Sequence, residues 1–160
     1  MVYSNAESFG KVYSDCCKKR LADNDIVILL TFYETAEKVK LRLGNAGIDV
    51  DKHLKEGSLI IADAAKGIFG ENNNLLQFLL NVERHVKRVG KGCVSIIVSM
   101  GAFFLYEKDE EVPEYEGLLD LSKIRNWKVL CCYHKGDFDR LSEAQMQGLL
   151  DRHNKKIFSA

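Results

Sequence analysis

The sequence predicts an α/β fold, in which a mostly parallel central sheet lies between two layers of helices. Three observations indicate this fold class. Apolar runs of strand length recur along the chain, at 26–32, 58–62, 93–99 and 127–133. Each run is continuously apolar, which is typical of strands covered on both faces. Segments with helical periodicity separate the runs, as the crossover connections of parallel strands require. We therefore expect a three-layer sandwich.

The first helix is predicted over 5–22. Ser4 is the predicted N-cap, because Glu7 follows it at the spacing of a capping box. Apolar side chains then recur on one helical face, namely Phe9, Val12, Tyr13 and Cys16.

The stretch "NAESFGKV" at 5–12 contains a Gly-Lys pair and raises the question of a phosphate-binding loop. Such a loop has the pattern G-x-x-x-x-G-K-[ST] between a strand and a helix, because its amides wrap the phosphates and its hydroxyl holds magnesium. Asn5 stands in the place of the first glycine, and Val12 in that of the hydroxyl residue. No strand is predicted in the four residues before Asn5. The sequence therefore predicts that the Walker A loop is missing.

The later helices are predicted over 35–46, 50–56, 72–89, 114–124 and 138–153. Gly47 and Gly90 are predicted to end helices, and Asp49 and Asp137 to cap the helices that follow them. In the 72–89 segment, apolar residues share one face at helical spacing: Leu75, Leu79, Val82, Val86 and Val89.

Length and composition exclude several classes of protein. The chain has 160 residues and no linker, which predicts a single domain over 1–160. Its 23 basic and 23 acidic residues give zero net charge, so no overall charge favours nucleic acid or an anionic membrane. The apolar runs are shorter than the roughly 20 residues of a membrane-spanning helix, and no signal peptide is recognised. We expect a cytoplasmic protein that contacts neither nucleic acid nor membrane.

The five cysteines fit a reducing compartment. Cys16–Cys17 and Cys131–Cys132 are adjacent pairs, and Cys93 stands apart. None has the C-x-x-C spacing of a zinc site or a thioredoxin-like motif. Buried thiols are the favoured interpretation, with a vicinal redox pair as the alternative.

A candidate binding site follows from the predicted sheet. In an open parallel sheet, ligands bind in the crevice outside the carboxyl ends of the strands. The residues that the predicted strands bring to this crevice are Thr31, Tyr33, Glu34, Asp63, Ser99, Met100, Tyr133 and His134. We expect Tyr33→Ala and Tyr133→Ala to weaken ligand binding more than they lower stability.

Structural roles are the alternatives for three of these residues. Glu34 is alternatively an exposed acid in the first turn of a helix, and Asp63 a helix N-cap. Tyr133 is alternatively a half-buried strand residue. His134 lies near Cys132, but two residues without a further cluster do not predict a metal site. The other histidines are interpreted as surface residues or residues with satisfied partners: His53, His85 and His153.

Large apolar side chains follow Gly101 in the segment 99–117. Phe103, Phe104 and Tyr106 are predicted to cover the crevice as a lid or to form a surface for a partner. The alternative is a connection that fills the core. The acidic residues that come next are predicted to form a solvated loop.

Four blocks of the chain occur in a familiar order. They are "VYS" at 2–4, "AGIDV…GSLIIAD" at 46–63, "LCCYHKGDF" at 130–138 and "LLDRHNKKI" at 149–157. Together they resemble the MEDS (methanogen/methylotroph DcmR sensory) domain family over almost the whole chain. The resemblance implies a sensory domain for a small organic molecule, without a cofactor. Because the chain ends at Ala160, we expect its signal to pass through a separate output protein.

The region from "TFYET" to "GSLIIAD" also resembles KaiC and other RecA-like ATPases. In those ATPases the end of the first strand carries a pair of catalytic carboxylates, whereas here Tyr33 stands beside Glu34. Ser99 occupies the expected place of the Walker B acid. The resemblance implies a RecA/KaiC-like core that lacks the Walker A loop, and we expect no ATP hydrolysis and no other enzyme activity.

Three functions follow from the sequence. The first is a non-catalytic sensory or ligand-binding module in signal transduction or transcriptional regulation. The second is a degenerate RecA/KaiC-like interaction protein that pairs with itself or with a partner through the Phe103–Tyr106 region. The third is a residual nucleotide binder that uses Glu34 and Tyr133.

Overall fold

The computed structural model describes residues 1–69, 75–119, 127–153 and 158–159. A six-stranded sheet, in which all strand pairs are parallel, forms its centre in the order β3-β2-β4-β5-β1-β6. The strands are β1 (Val2–Tyr3), β2 (Ile26–Thr31), β3 (Leu59–Asp63), β4 (Val94–Ser99), β5 (Trp127–His134) and β6 (Phe158–Ser159). The predicted α/β fold with a parallel sheet is confirmed.

Helices cover both faces of the sheet. One layer contains α1 (Ala6–Ala22), α2 (Ala36–Asn45) and α3 (Val50–Lys55). The other contains α4 (Ala64–Phe69), α5 (Leu75–Val89), α6 (Gly101–Leu105), α7 (Val112–Leu119), α8 (Lys135–Phe138) and α9 (Glu143–Arg152). A 3-10 turn at Asp109–Glu111 precedes α7.

The buried strands explain the continuous apolar runs. Successive side chains of a strand point to opposite faces. In β2, Ile28 and Leu30 pack against the α4–α9 layer, whereas Val27 and Leu29 pack against the α1–α3 layer. Every residue of β2 and β4 is buried. A polar residue at any of these positions would therefore enter one half of the core.

The amino-terminal segment differs from the prediction. Val2 and Tyr3 form β1, in register with Tyr133 and His134 of β5. The expectation that no strand precedes Asn5 is therefore wrong, because a two-residue strand is too short to show any periodicity. The predicted N-cap is wrong by one residue as well: Asn5, not Ser4, caps α1, and its Oδ1 accepts hydrogen bonds from the amides of Glu7 and Ser8.

Other helix boundaries agree with the prediction or correct it. Asp49 caps α3, and Gly47 and Gly90 follow α2 and α5 with φ values of +83° and +75°, which suit glycine. The helix predicted over 138–153 is divided into α8 and α9, and Ser142 rather than Asp137 caps α9. Helix α4 was not predicted. Parts of the helices predicted at 72–89 and 114–124 lie outside the described residues.

A buried carboxylate joins three strands at the amino edge of the sheet. Asp25, just before β2, accepts hydrogen bonds at Oδ2 from Ser95 Oγ of β4 at 2.7 Å and from Lys128 Nζ of β5 at 2.9 Å. Burial alone would raise the pKa of Asp25, but these hydrogen bonds and the charges of Lys128 and Arg20 outweigh it and lower the pKa. The edge opposite the candidate crevice is thus anchored by an ionic group.

Among the described helices, none is long and apolar enough to cross a membrane.

Candidate functional site

The carboxyl ends of the strands bring several predicted site residues to one edge of the sheet. In the register of the sheet, Thr31 at the end of β2 lies beside Asp63 at the end of β3. Ser99 at the end of β4 lies beside Cys132 of β5, and Tyr3 at the end of β1 lies beside His134 at the end of β5. Tyr3 was not among the predicted site residues, because β1 was not predicted. These positions lie at the carboxyl ends of the strands, and Tyr33 of the β2–α2 connection contacts Gly101 and His134 there.

Tyr33 bridges this edge. Its hydroxyl donates a 2.5 Å hydrogen bond to Asp137 Oδ2 of α8, and its ring contacts the ring of His134 at a centroid distance of 6.0 Å. The ring also rests on Gly101, where an added Cβ would lie 2.5 Å from it. Tyr33 remains 50% exposed. Partial burial and the bond to Asp137 raise the pKa of its hydroxyl, so the phenol stays protonated and donates.

Two buried hydroxyls lie at this edge, those of Tyr3 and Ser99. Both side chains are excluded from solvent, and neither Tyr3 Oη nor Ser99 Oγ reaches a hydrogen-bond partner outside this pair in the described part of the chain. Burial raises the pKa of Tyr3, and the side-chain interaction with the Ser99 hydroxyl opposes this rise. Buried polar groups that lack a full set of partners are costly, and a ligand that completes the set removes this cost.

Aromatic contacts hold the Tyr3 ring in place. It stacks on Phe9 of α1 at a centroid distance of 4.5 Å and meets the edge of His134 at 5.6 Å. His134 in turn caps α8, because its Nδ1 accepts a hydrogen bond from the amide of Gly136. The side chains of Tyr3 and His134 are therefore held by packing, whereas the neighbouring Tyr33 is half exposed.

Glu34 is buried and fully engaged. Its Oε1 accepts a 2.7 Å hydrogen bond from Arg42 Nε, and its Oε2 accepts a 3.0 Å bond from the hydroxyl of Tyr13. Thr31 Oγ1 donates to the backbone carbonyl of Glu34. The alternative that Glu34 is an exposed first-turn acid is therefore wrong. Its charge is balanced by Arg42, whose side chain is 37% exposed.

Asp63, Tyr133 and Met100 have structural positions. Asp63 is exposed and its Oδ1 accepts from the amide of Lys66, so it caps α4 as its alternative predicted. Tyr133 is fully buried and donates a 2.6 Å hydrogen bond to Glu116 Oε1. Because Tyr133 belongs to the core, Tyr133→Ala is expected to lower stability strongly, against the sequence expectation. Met100 is buried in the same half of the core.

The predicted lid divides into core and surface. Phe103 and Phe104 of α6 are buried, and their rings contact those of Phe69, Tyr115 and Tyr133. Tyr106 is 51% exposed and Leu105 65% exposed. The two phenylalanines therefore fill the core, as the alternative interpretation held, and of the three predicted lid residues Tyr106 alone is exposed.

A second polar cluster was missed in the sequence. Glu116 of α7, Cys131 of β5 and His153 after α9 each offer one ligand atom, and these atoms lie within 4.8 Å of one another. His153 Nε2 is 3.1 Å from Glu116 Oε2 and 3.3 Å from Oε1. Burial and then the nearby Glu116 raise the pKa of the Cys131 thiol. The one sequence signal is the alternation of β5, which puts Cys131 on the same face as Tyr133.

Comparisons with known proteins agree with both predicted resemblances. The profile of the MEDS family (MEthanogen/methylotroph, DcmR Sensory domain) matches residues 1–154. The fold is similar to the crystal structure of a KaiC-like protein from the hyperthermophilic archaeon Pyrococcus horikoshii OT3, with a TM-score of 0.57 and 20% sequence identity. That similarity covers 93% of this chain and 65% of the KaiC-like protein, so the chain spans less than two-thirds of its length. No curated protein matches the chain at the significance required.

Proposed function

We propose that this chain, which belongs to the MEDS family of sensory domains, binds a small organic molecule in the crevice beneath Tyr33 and does so without catalysis. The observation that carries the proposal is the pair of buried hydroxyls on Tyr3 and Ser99, which reach no hydrogen-bond partner outside the pair among the described residues. A ligand that supplies a donor and an acceptor to these groups would remove their desolvation cost on binding. Ligands that bond both hydroxyls should therefore bind more tightly than ligands of the same size that cannot.

The surroundings favour a neutral ligand. Arg42 balances the charge of Glu34, and the Asp137 carboxylate accepts the Tyr33 hydroxyl. Once Tyr33 moves aside, the chemistry offered at this edge is two hydroxyls and the aromatic faces of Tyr3, Tyr33 and His134. This combination suits a small molecule that has one or two hydrogen-bonding groups on an apolar frame, such as a short alcohol or amide.

Tyr33 connects the proposed ligand site with helix α8 at the protein surface. A ligand that reaches Tyr3 and Ser99 has to displace the Tyr33 ring, which breaks its bond to Asp137 in α8. Helix α8 has four residues, and Lys135 and Asp139 on its exposed side form an ion pair at 2.5 Å. We propose that a change at this helix is read by a separate output protein in signal transduction or transcriptional regulation. The cytoplasmic location stays a prediction.

Two features support a non-catalytic role. The connection between β1 and α1 consists of Ser4 and Asn5, which is too short for the loop that wraps phosphates in a P-loop protein. The Glu34 carboxylate, which resembles half of an ATPase catalytic pair, already binds Arg42 and Tyr13. A nucleotide would therefore need a different mode of binding.

The test is a thermal-shift and NMR screen with short alcohols, amides and halogenated hydrocarbons, and with ATP and Mg²⁺ as a separate arm. A ligand at 100 times its dissociation constant adds about 2.7 kcal/mol to the free energy of unfolding. Ser99→Ala and Tyr3→Phe should abolish the shift. Ser95→Ala is the matched control, because this buried hydroxyl on the same strand points to Asp25 at the other edge. An unchanged response in Ser99→Ala, or a response to ATP alone, would contradict the proposal.

The interaction-protein hypothesis rests on one surface. Leu105 and Tyr106 are adjacent exposed apolar residues at the end of α6. If no small molecule shifts the melting midpoint, sedimentation of the wild type and of Leu105→Ser with Tyr106→Ser should distinguish self-association from a monomer.

A further inference from the structure

We propose that Glu116, Cys131 and His153 bind a divalent transition-metal ion, and that Zn²⁺ is the ion they fit best. The three side chains come from α7, from β5 and from the residue that follows α9, so the fold brings together positions far apart in sequence. This inference goes beyond the proposed organic-ligand site and does not depend on it.

The donor set agrees with zinc chemistry. One thiolate, one imidazole and one carboxylate are all common zinc ligands, and three protein ligands with an open fourth position are typical of zinc sites that exchange a water or substrate. Zinc–ligand bonds of about 2.0–2.3 Å place tetrahedral ligand atoms roughly 3.5 Å apart. The ligand atoms of Glu116 and His153 are already 3.1 Å apart, and all three ligand atoms lie within 4.8 Å of one another. A shift of about 1 Å would close the site around an ion.

A second observation concerns the charge of the cluster. Glu116 Oε2 is shielded from solvent and lies 3.1 Å from His153 Nε2. Its side chain is 2% exposed, so the carboxylate depends on its neighbours in the cluster for a balancing charge. Burying a carboxylate is costly unless a partner balances its charge. A Zn²⁺ ion bound by the Glu116 carboxylate, the Cys131 thiolate and a neutral His153 would leave the cluster with no net charge.

The hydrogen bond from Tyr133 distinguishes the two carboxylate oxygens of Glu116. The Tyr133 hydroxyl donates a 2.6 Å hydrogen bond to Glu116 Oε1, which leaves Oε2, the oxygen nearer to His153 Nε2, to bind the ion. Such a bond to a ligating carboxylate orients the ligand and is characteristic of the surroundings of metal sites. Tyr133 is therefore a positioning residue of this site. His153, whose side chain is 30% exposed, lies on the side from which an ion and a water can enter.

The first experiment is titration of the full chain, freed of metal with a chelator, with Co²⁺ and then Zn²⁺. We expect one Co²⁺ per chain, a thiolate-to-cobalt charge-transfer absorption, and its loss when Zn²⁺ displaces cobalt. Cys131→Ser should abolish the absorption. Cys132→Ser is the matched control, because this equally buried neighbour points to the opposite half of the core. Absence of the absorption in the wild type, or its loss in Cys132→Ser and not in Cys131→Ser, would overturn the site.

A second pair of variants distinguishes a loss of metal binding from a loss of folding. His153→Gln changes a partly exposed side chain and should keep the fold, which circular dichroism in chelator would verify. We expect its Zn²⁺ affinity to fall more than about 100-fold, beyond the loss typical of an outer partner. His85→Gln is the control, because His85 binds the Gly57 carbonyl elsewhere in the fold. Unchanged Zn²⁺ affinity in His153→Gln would show that the ion binds elsewhere.

Discussion

Two hydroxyls at the carboxyl edge, those of Tyr3 and Ser99, are buried, and neither has a hydrogen-bond partner outside this pair among the described residues. An unsatisfied buried polar group costs about 1–3 kcal/mol. We therefore expect Ser99→Ala to raise the free energy of unfolding by about 1 kcal/mol in urea denaturation. Ser95→Ala should instead lower it by about 1.5–3 kcal/mol, because this hydroxyl donates to the Asp25 carboxylate. Destabilisation by both changes would mean that Ser99 has a structural partner.

A pH dependence follows from Asp25. Its pKa in the folded protein lies below the usual value, about 3.9, of the unfolded chain, since Lys128 and Ser95 outweigh the effect of burial. A lowered folded pKa stabilises the protein at pH values above the unfolded pKa, and this contribution is lost as the pH falls through the folded pKa. Urea denaturation from pH 7 to pH 3 should show it. The Asp25→Asn variant should be less stable at pH 7, and its free energy of unfolding should fall less between pH 7 and pH 3 than that of the wild type. An equal fall in both proteins would contradict the lowered pKa of Asp25.

The sequence predicts positions at this scale better than partners. Thr31 and Ser99 lie at the predicted edge because strand ends follow from apolar runs. The contacts of Glu34 with Tyr13 and Arg42 could not be predicted, because they depend on how α1 and α2 pack together. The burial of Tyr133 depends in the same way on Glu116, 17 residues earlier in the chain.

The start of α1 gives a test of one helix cap. Asn5 accepts hydrogen bonds from the amides of Glu7 and Ser8, so Asn5→Ala should lower the free energy of unfolding by about 1 kcal/mol. Ser4→Ala is the control, since Ser4 is the cap that the sequence predicts and the structure gives that role to its neighbour. Chemical denaturation should show a loss in the first variant only. Equal stability of the two variants would contradict the observed cap.

The contact between α6 and the β2–α2 connection gives a test of the Tyr33 gate. A Cβ at Gly101 would collide with the Tyr33 ring, so Gly101→Ala should move Tyr33 away from Asp137. If this opening is needed for binding, the variant should bind the organic ligand more tightly, because the competent state is more populated. Isothermal titration would measure this. Gly44→Ala is the control, since its added Cβ meets no described atom within 4 Å. Weaker binding by Gly101→Ala would argue against a gate.

Element prediction succeeded where a segment was long and periodic. The four long strands differ from their predicted bounds by one residue or less at each end, since fully buried strands are continuously apolar. Helix α4 has six residues and β1 has two, too few for a period to be recognised. The break between α8 and α9 depends on the cap at Ser142, a signal that the longer helical pattern obscured.

At the scale of the whole molecule, the order of the sheet predicts a gradient of local stability. Strands β2 and β4 are each paired on both sides and wholly buried, whereas β3 lies at an edge and is only partly buried. We expect the amides of β2 and β4 to exchange hydrogen only through global unfolding, and those of β3 to exchange through smaller openings. Native-state hydrogen exchange in low urea would measure both. Equal protection of β3 and β4 would contradict this gradient.

Cys131 and Cys132 of β5 point to opposite layers of the molecule. Because neighbouring side chains of a strand diverge, these two thiols are directed away from each other, and each is surrounded by a different set of helices. Burial raises the pKa of Cys132 to about 12 and raises that of Cys131 as well, so both thiols are unreactive until their surroundings open. In variants that keep only Cys131 or only Cys132, the rate of thiol labelling would report how fast the helical layer around that cysteine opens. A single strand thus carries two native probes, one for each half of the core.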